Sequence, residues 1–349
     1  MSWGAGLRGF LMKKGMSRWA GIVMLFLSLP CFSACKPASP PRPPEEVRLQ
    51  LKWIHQAQFA GFYMAREKGH YAREGLKVTF LEGGPGIDNA GNVLSGKADF
   101  GVLSPEDLLI HRGHGDPLTA LAAIYRRSAV VFVAQSDSGI EKPSDFIGRT
   151  VAAKGERGTL EFYLQFLAMM DKLGIDTKRI KIVPFDSEYK GFLKGEVQVT
   201  PCYATAGLIK LRGQGLKLNL IRPDDYGVHF YSDILVAAEG LIDKNPDLVL
   251  RFVRASLRGW QEVVEDYTRA VQVVLHFTEQ KNLELQTAMM EAMLPLVHTG
   301  EDHLGWMKPE IWQGMADLLA KEGFIKKSFN VAPAYSLRFI HELYGKKPL

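Results

Sequence analysis

The sequence predicts an α/β fold of two lobes, and three observations carry that expectation. Short apolar runs that read as strands alternate with helical stretches along the body of the chain, the pattern of sheets covered by helices. About 300 residues follow a proline-rich segment, more than one hydrophobic core usually serves. The last third turns helical, as expected of a chain that crosses between two lobes and returns.

The N-terminus addresses the compartment. Lys13, Lys14 and Arg18 precede an 11-residue apolar run, Trp19 to Leu29. A bilayer-spanning helix needs about 20 residues, so this run suits an export signal, and residues 1–34 are read as a signal peptide. Ser33-Ala34-Cys35 looks like a lipobox, whose cysteine becomes lipidated and N-terminal on cleavage. Phe32 stands where leucine is usual, which leaves simple cleavage as the alternative. Residues 35–46 are then a lipid anchor and tether, because five of the eleven residues from Lys36 to Glu46 are prolines, which favour extended, semi-rigid chain. The expected location is the periplasm or the outer membrane face, lipid-anchored, or the soluble periplasm if Cys35 carries no lipid.

With 43 basic and 38 acidic residues the formal charge is +5, part of it in the signal, and no long basic run occurs. Nucleic acid is therefore not an expected partner. Cys202 is the one cysteine left in the mature body, so no intrachain disulfide is expected, and it reads as a small core hydrophobe.

Val47-Arg48-Leu49-Gln50-Leu51 alternates as a half-buried strand does, and a helix from Phe62 to Lys68 stops at Gly69. Further strands are read at Leu76 to Leu81, Ala98 to Leu103, Ala129 to Ala134, Thr150 to Ala153, Lys181 to Val183, Leu218 to Ile221 and Ile234 to Ala237, with largely parallel pairing. Near the C-terminus Asn245 caps a helix, Pro246 opens it, and Val249, Phe252, Val253, Ser256, Trp260, Val263, Val264 and Tyr267 follow at helical spacing.

In open α/β sheets ligands bind beyond the carboxyl ends of strands. Four segments sit there: IHQAQFAG after the first strand, EGGPG with Gly84 and Gly86, LSPED with Ser104 and Glu106, and AAKGERGTLEFYLQF. In the last, Gly155 and Gly158 flank a turn and Thr159 caps the helix that follows. Their backbone amides suit an anion or a carbonyl edge; the plainer reading is a set of tight connections. His111 and His114 have a zinc-compatible spacing, but Gly113 and Gly115 make a regular helix there unexpected, and a solvated helix end is preferred. No metal site is expected. No nucleophile elbow, phosphate loop or zinc signature occurs, so no catalytic residue is assigned.

Motifs are spread across nearly the whole mature chain: W-x-x-x-x-x-F-A-G-F-Y from Trp53, G-x-Y-x-x-E-G-L from Gly69, E-G-G-P-G from Glu82, S-G-K-A-D-F-G-V from Ser95, and G-D-P from Gly115. D-S-G-I from Asp137, P-S-D-F-I-G from Pro143 and D-Y-G-x-x-F-Y-S-D from Asp225 complete the set. Together they resemble the thiamine-pyrimidine and nitrate/sulfonate/taurine-type periplasmic binding proteins, which share their fold with the yeast-type pyrimidine synthase for thiamine. The resemblance implies a type II periplasmic binding fold, two α/β lobes joined by a hinge with a ligand cleft between them, with lobe I from residues 47–131 and 232–349 and lobe II from 132–231. It implies a monomeric, lobe-closing carrier that delivers a small molecule to an ABC permease and its ATPase.

Within that frame Trp53 and Phe59 offer flat faces to a ligand, and Gln56, Glu106, Glu156 and Glu161 surround a heterocycle's amine and ring nitrogens. For Glu161 a solvated helix face is an equal reading. Tyr226, Tyr231 and Asp233 form a wall or latch near the hinge, and Tyr203 lies in the site or in the core. Stacking gives roughly 0.5–1.5 kcal/mol per pair, short of the roughly 8 kcal/mol of micromolar binding, so polar groups and closure must contribute. A thiamine-pyrimidine precursor such as a hydroxymethyl- or formylaminopyrimidine is the first-choice ligand, riboflavin the next, and an alkanesulfonate or nitrate the last, since the loops are aromatic and not markedly basic. The synthase reading is disfavoured: Gly227 to Tyr231 lacks its cysteine run, no donor histidine lies at Ser104 to Asp107, and no cofactor is expected. A sensory, ligand-presenting domain is the remaining alternative.

Overall fold

The computed structural model describes residues 43–84, 86–155 and 159–346. The expected signal, Cys35 and most of the tether lie outside the described residues, as do Glu156 and Gly158. No helix among the described residues is long and apolar enough to cross a membrane.

Three sheets carry the fold. The first has five strands in the order β2-β1-β3-β10-β4, formed by β1 (Glu45–Gln50), β2 (Leu76–Leu81), β3 (Phe100–Leu103), β4 (Leu118–Ala123) and β10 (Ile234–Ala238). The second is β8-β5-β9, from β5 (Val130–Gln135), β8 (Thr200–Tyr203) and β9 (Leu218–Ile221). The third pairs β6 (Thr150–Lys154) with β7 (Lys181–Pro184), and Val151 bridges to Val199 just before β8.

The pairing corrects the expectation of a largely parallel arrangement. β1–β2, β1–β3 and β6–β7 are parallel, whereas β10 runs against β3 and β4, and β5 against β8 and β9. Both reversed strands follow a passage between sheets. Those passages lie side by side: Ile124 and Tyr125 donate their N–H groups to the Asp233 carbonyl at 2.8 and 3.0 Å, and Ser232 donates to the Tyr125 carbonyl at 3.1 Å. Reversal puts the start of β10 beside the end of β3, with Ile234 opposite Leu103, so Asp233 reaches the sheet edge where the βα loops gather.

β4 was not anticipated. Its LTALAA is fully buried and has one β-branched residue, so periodicity alone does not separate it from helix. The helix Pro105–His114 also differs from expectation, running through Gly113 to close at Gly115 in the left-handed region, φ 96°. A Cβ on Gly113 would lie 2.6 Å from Ile325 Cγ2, so that glycine permits close packing rather than ending the helix.

The helix Pro246–Glu265 is capped by the Asn245 side chain, which accepts the Leu248 N–H at 3.2 Å, and it buries Val249, Phe252, Val253, Ser256, Trp260 and Val263. It crosses the helix Ala60–Glu67 through paired glycines. A Cβ on Gly259 would stand 2.0 Å from the Gly61 carbonyl oxygen, and one on Gly61 would stand 2.1 Å from the Trp260 ring. This crossing, with Phe252 stacked on Phe100 at 3.9 Å, anchors the segment that follows β1.

Candidate ligand-binding site

The chain beyond β1 is held by its own polar atoms. The Gln50 side-chain amide donates to the carbonyls of Leu51, Leu81 and Glu82 at 3.0–3.2 Å, and Asn89 donates to the Lys52 carbonyl at 3.1 Å. The Gly83 N–H donates to the Trp53 carbonyl at 3.1 Å, and a Cβ there would sit 2.4 Å from the Leu51 carbonyl oxygen, so the glycine loop presses directly on this backbone. Gly84 and Gly86 hold φ values of 138° and 80°, open to glycine and strained for other residues.

With the backbone so placed, Lys52 turns inward and Trp53 outward. The Lys52 ammonium lies 3.3 Å from Glu161 Oε2, 3.4 Å from Asp233 Oδ1 and 3.3 Å from the Tyr203 hydroxyl, and 5.4 Å from the centre of the Tyr203 ring. Glu161 is the second residue of the helix Leu160–Lys172, Tyr203 ends β8, and Asp233 precedes β10. The lysine therefore bridges elements of different sheets. Asp233 Oδ2 accepts from Gln58 at 2.6 Å, and Gln58 Oε1 accepts from Gln56 at 2.6 Å, which ties the loop after β1 into the same network.

Glu106 completes the cluster. It is the second residue of the helix Pro105–His114, whose N-cap Ser104 accepts the Asp107 N–H at 3.2 Å, and it is buried. Among the described residues, neither Glu106 carboxyl oxygen is hydrogen-bonded to another residue; its own amide N–H is the nearby donor. Glu161 Oε1 and Asn89 Oδ1 are likewise buried without a partner among the described residues. Such atoms are rare, because desolvation without a hydrogen bond costs about 1–3 kcal/mol each.

The electrostatics follow from one ammonium facing four carboxyl groups, those of Glu161, Asp233, Asp107 and Glu106. Burial works against the Lys52 charge, but these neighbours outweigh it and hold the amine above its usual range. Burial pushes the Glu161 carboxyl up to about 7, with Lys52 pulling the other way. Burial, reinforced by the Glu161 charge, holds Glu106 well above the carboxylate range.

Of the residues expected in the site, Gln56, Glu106, Glu161, Tyr203 and Asp233 are brought into one network or its immediate surroundings. Trp53 lies at the rim, 41% exposed, beside exposed Ile54 and Ile87 around the glycine loop. Thr159 occupies the N-cap position of the Glu161 helix. Phe59 requires a correction: its ring is fully enclosed in the first core cluster, with no free face for a ligand. Tyr231 is also a packing residue, its hydroxyl accepting the Lys308 N–H at 2.6 Å and its ring tilted against Trp312. Tyr226 is partly buried against the second core cluster. His111 Nδ1 lies 2.6 Å from Asp116 Oδ2.

Lys52, Gln58 and Asn89 were missed. Lys52 had a signal: it shares a strand face with Gln50, so the polar face of LQLKW continues into a strand-end loop, where a charge has reason to turn toward a ligand.

The strand order, the two reversed strands and the gathering of loops over a buried polar cluster define a type II periplasmic binding fold. The likeness to solved structures agrees: the aliphatic sulphonate-binding protein of Escherichia coli superposes with a TM-score of 0.68 at 14% identity, covering 83% of this chain and 97% of its own. Residues 56–270 match the family described as NMT1/THI5 like, and the chain belongs to that family. Among its relatives, the riboflavin-binding protein RibY of Chloroflexus aurantiacus is 26% identical over 342 residues, 92% of this chain and 96% of its own. The formylaminopyrimidine-binding protein of Halalkalibacterium halodurans is 23% identical over 326 residues, 90% of this chain and 97% of its own. Proteins named as pyrimidine phosphate synthases also occur among the relatives.

Proposed function

We propose that this chain is the extracytoplasmic solute-binding protein of an ABC importer, anchored through lipid on Cys35. Its ligand is a small planar nitrogen heterocycle bearing N–H donors, of the thiamine-pyrimidine precursor class. The observation that carries this reading is the set of carboxyl oxygens on Glu106 and Glu161 that are buried and unpartnered among the described residues. They need hydrogen-bond partners, and an aminopyrimidine edge supplies an N–H donor beside a ring-nitrogen acceptor, which matches a carboxyl group that keeps its proton. A sulfonate or nitrate supplies acceptors alone and leaves the carboxyl acceptors unpaired. Likeness to a sulphonate-binding protein therefore extends to the fold and not to the ligand.

The two halves, residues 47–131 with 232–349 and residues 132–231, close over the ligand by a hinge at the paired passages. Closure follows because Lys52 and Asp233 contribute from one half and Glu161 and Tyr203 from the other. The protein acts as a carrier and not an enzyme, with a permease and ATPase as partners. Incubation with pyridoxal phosphate and iron is expected to leave its histidines intact; loss of one would restore the synthase reading.

The apolar rim of Trp53, Ile54 and Ile87 favours a second reading, a larger fused-ring ligand such as riboflavin, whose ribityl hydroxyls would serve as the donors. A thermal-shift screen with 4-amino-5-hydroxymethyl-2-methylpyrimidine, its formylamino analogue, riboflavin and an alkanesulfonate separates these. A ligand at one hundred times its dissociation constant stabilises by about 2.7 kcal/mol. Stabilisation by the sulfonate with every heterocycle silent would overturn the proposal.

A further inference from the structure

The polar cluster already contains a cation, and that cation belongs to the chain. Two carboxylates, a phenol oxygen and an aromatic face form the surroundings that recognise a primary ammonium of any origin. Here Lys52 Nζ makes three polar contacts, with Glu161 Oε2, Asp233 Oδ1 and the Tyr203 hydroxyl, which matches the three N–H groups an ammonium can offer. The carboxyl oxygens left over among the described residues are both Glu106 oxygens and Glu161 Oε1, with the amide oxygen of Asn89 also unpartnered. The cluster thus divides into a subsite for positive charge, filled from within, and a subsite of open acceptors.

We propose, building on the heterocycle-binding reading, that Lys52 determines specificity: it is a tethered ammonium that occupies the cationic subsite, so the site accepts neutral N–H-bearing ligands and turns away those that carry an ammonium of their own. A ligand cation entering beside Lys52 would meet an ammonium whose own carboxylates are already engaged. Glu106 is held above the usual carboxylate range by burial and by Glu161, so it offers a second cation little compensating charge. Without Lys52 the same carboxylates face an empty place shaped for an amine. Specificity here comes from a repulsive group as well as from attractive ones.

Two probes of one shape test this, 4-amino-5-hydroxymethyl-2-methylpyrimidine and its 5-aminomethyl counterpart, which differ by a hydroxyl against an ammonium. Calorimetry on the wild-type protein is expected to show the hydroxymethyl compound binding about tenfold or more tightly, and Lys52→Met is expected to reverse that order. The same preference in both proteins overturns the proposal.

A second arm needs no heterocycle. Lys52→Ala opens space for n-propylammonium, the missing end of the side chain, which is expected to raise the urea midpoint of the variant and not of the wild type, relative to sodium chloride at equal concentration. Absence of that rescue also overturns the proposal. If neither pyrimidine binds the wild type, the heterocycle reading fails, while the propylammonium arm still decides whether Lys52 fills a cation subsite.

Discussion

Lys52 and Glu161, 109 positions apart in the sequence, meet at 3.3 Å, the glutamate almost fully buried and the lysine side chain 12% exposed. Each leaves water for the sake of the other, and the cost falls due when one is removed. Deleting one partner of a buried pair typically costs about 3–5 kcal/mol, because the remaining charge is uncompensated. The pair also joins a residue just beyond β1 to a helix that follows β6, so its formation is coupled to the approach of those elements.

Glu161 makes this coupling pH-dependent. An unperturbed glutamate titrates near 4.5, and burial raises this one to about 7 in the fold, against the opposing pull of Lys52 and with Asp107 and Asp233 adding to the rise. The folded protein then holds the proton more tightly across that interval, so this group's contribution to stability falls as pH rises from about 4.5 to about 7 and levels off above. The full span is at most about 3 kcal/mol. Urea titrations of wild type and Glu161→Gln across that interval are expected to diverge with this sign, and a constant difference between them would contradict it.

Trp53→Ala separates a ligand contact from a packing contact. At 41% exposure the ring supports little of the core, so the urea midpoint is expected to move by no more than about 0.5 kcal/mol. Calorimetry is expected to show a loss of about 1–3 kcal/mol in heterocycle affinity, from lost burial and stacking. A lowered midpoint with unchanged affinity would remove the stacking role.

Phe59 is the converse case six residues later. Its ring is fully buried, and Phe59→Ala is expected to cost about 3–5 kcal/mol through the cavity left behind, read as a lower urea midpoint. A stability change under about 1 kcal/mol would show that the ring is not packed as described.

Gly259→Ala tests the helix crossing that carries the loop after β1. The added methyl would stand 2.0 Å from the Gly61 carbonyl oxygen, which is backbone and has no flexible end to yield. A loss of about 1–3 kcal/mol or more is expected in thermal or urea unfolding, against the slight gain that glycine to alanine brings on an unobstructed helix face.

Much of the fold was legible because its signals are local. Leu76 to Leu81 and Leu218 to Ile221 were read with the boundaries they have, since apolar runs between turn residues carry their own period and stops. Asn245 and Pro246 announced their helix through the orphan N–H groups that every helix start must satisfy. β4 escaped because LTALAA has no period of its own, and Phe59 was misplaced because its side chain faces the helix pack while the loop around it faces the site.

The sequence by itself determined the alternation of strands and helices, the caps, the glycine turns and the strand-end segments from which a site is assembled, because each depends on residues a few positions apart. The tertiary structure alone decided that Lys52 meets Glu161 and Asp233, 109 and 181 positions away, that β10 runs backward to deliver Asp233, and that the Glu106 oxygens are unpartnered among the described residues. A charge does not choose its partner by sequence spacing. It takes whichever opposite charge the packed elements bring within reach once water is gone, and that choice belongs to the assembled fold.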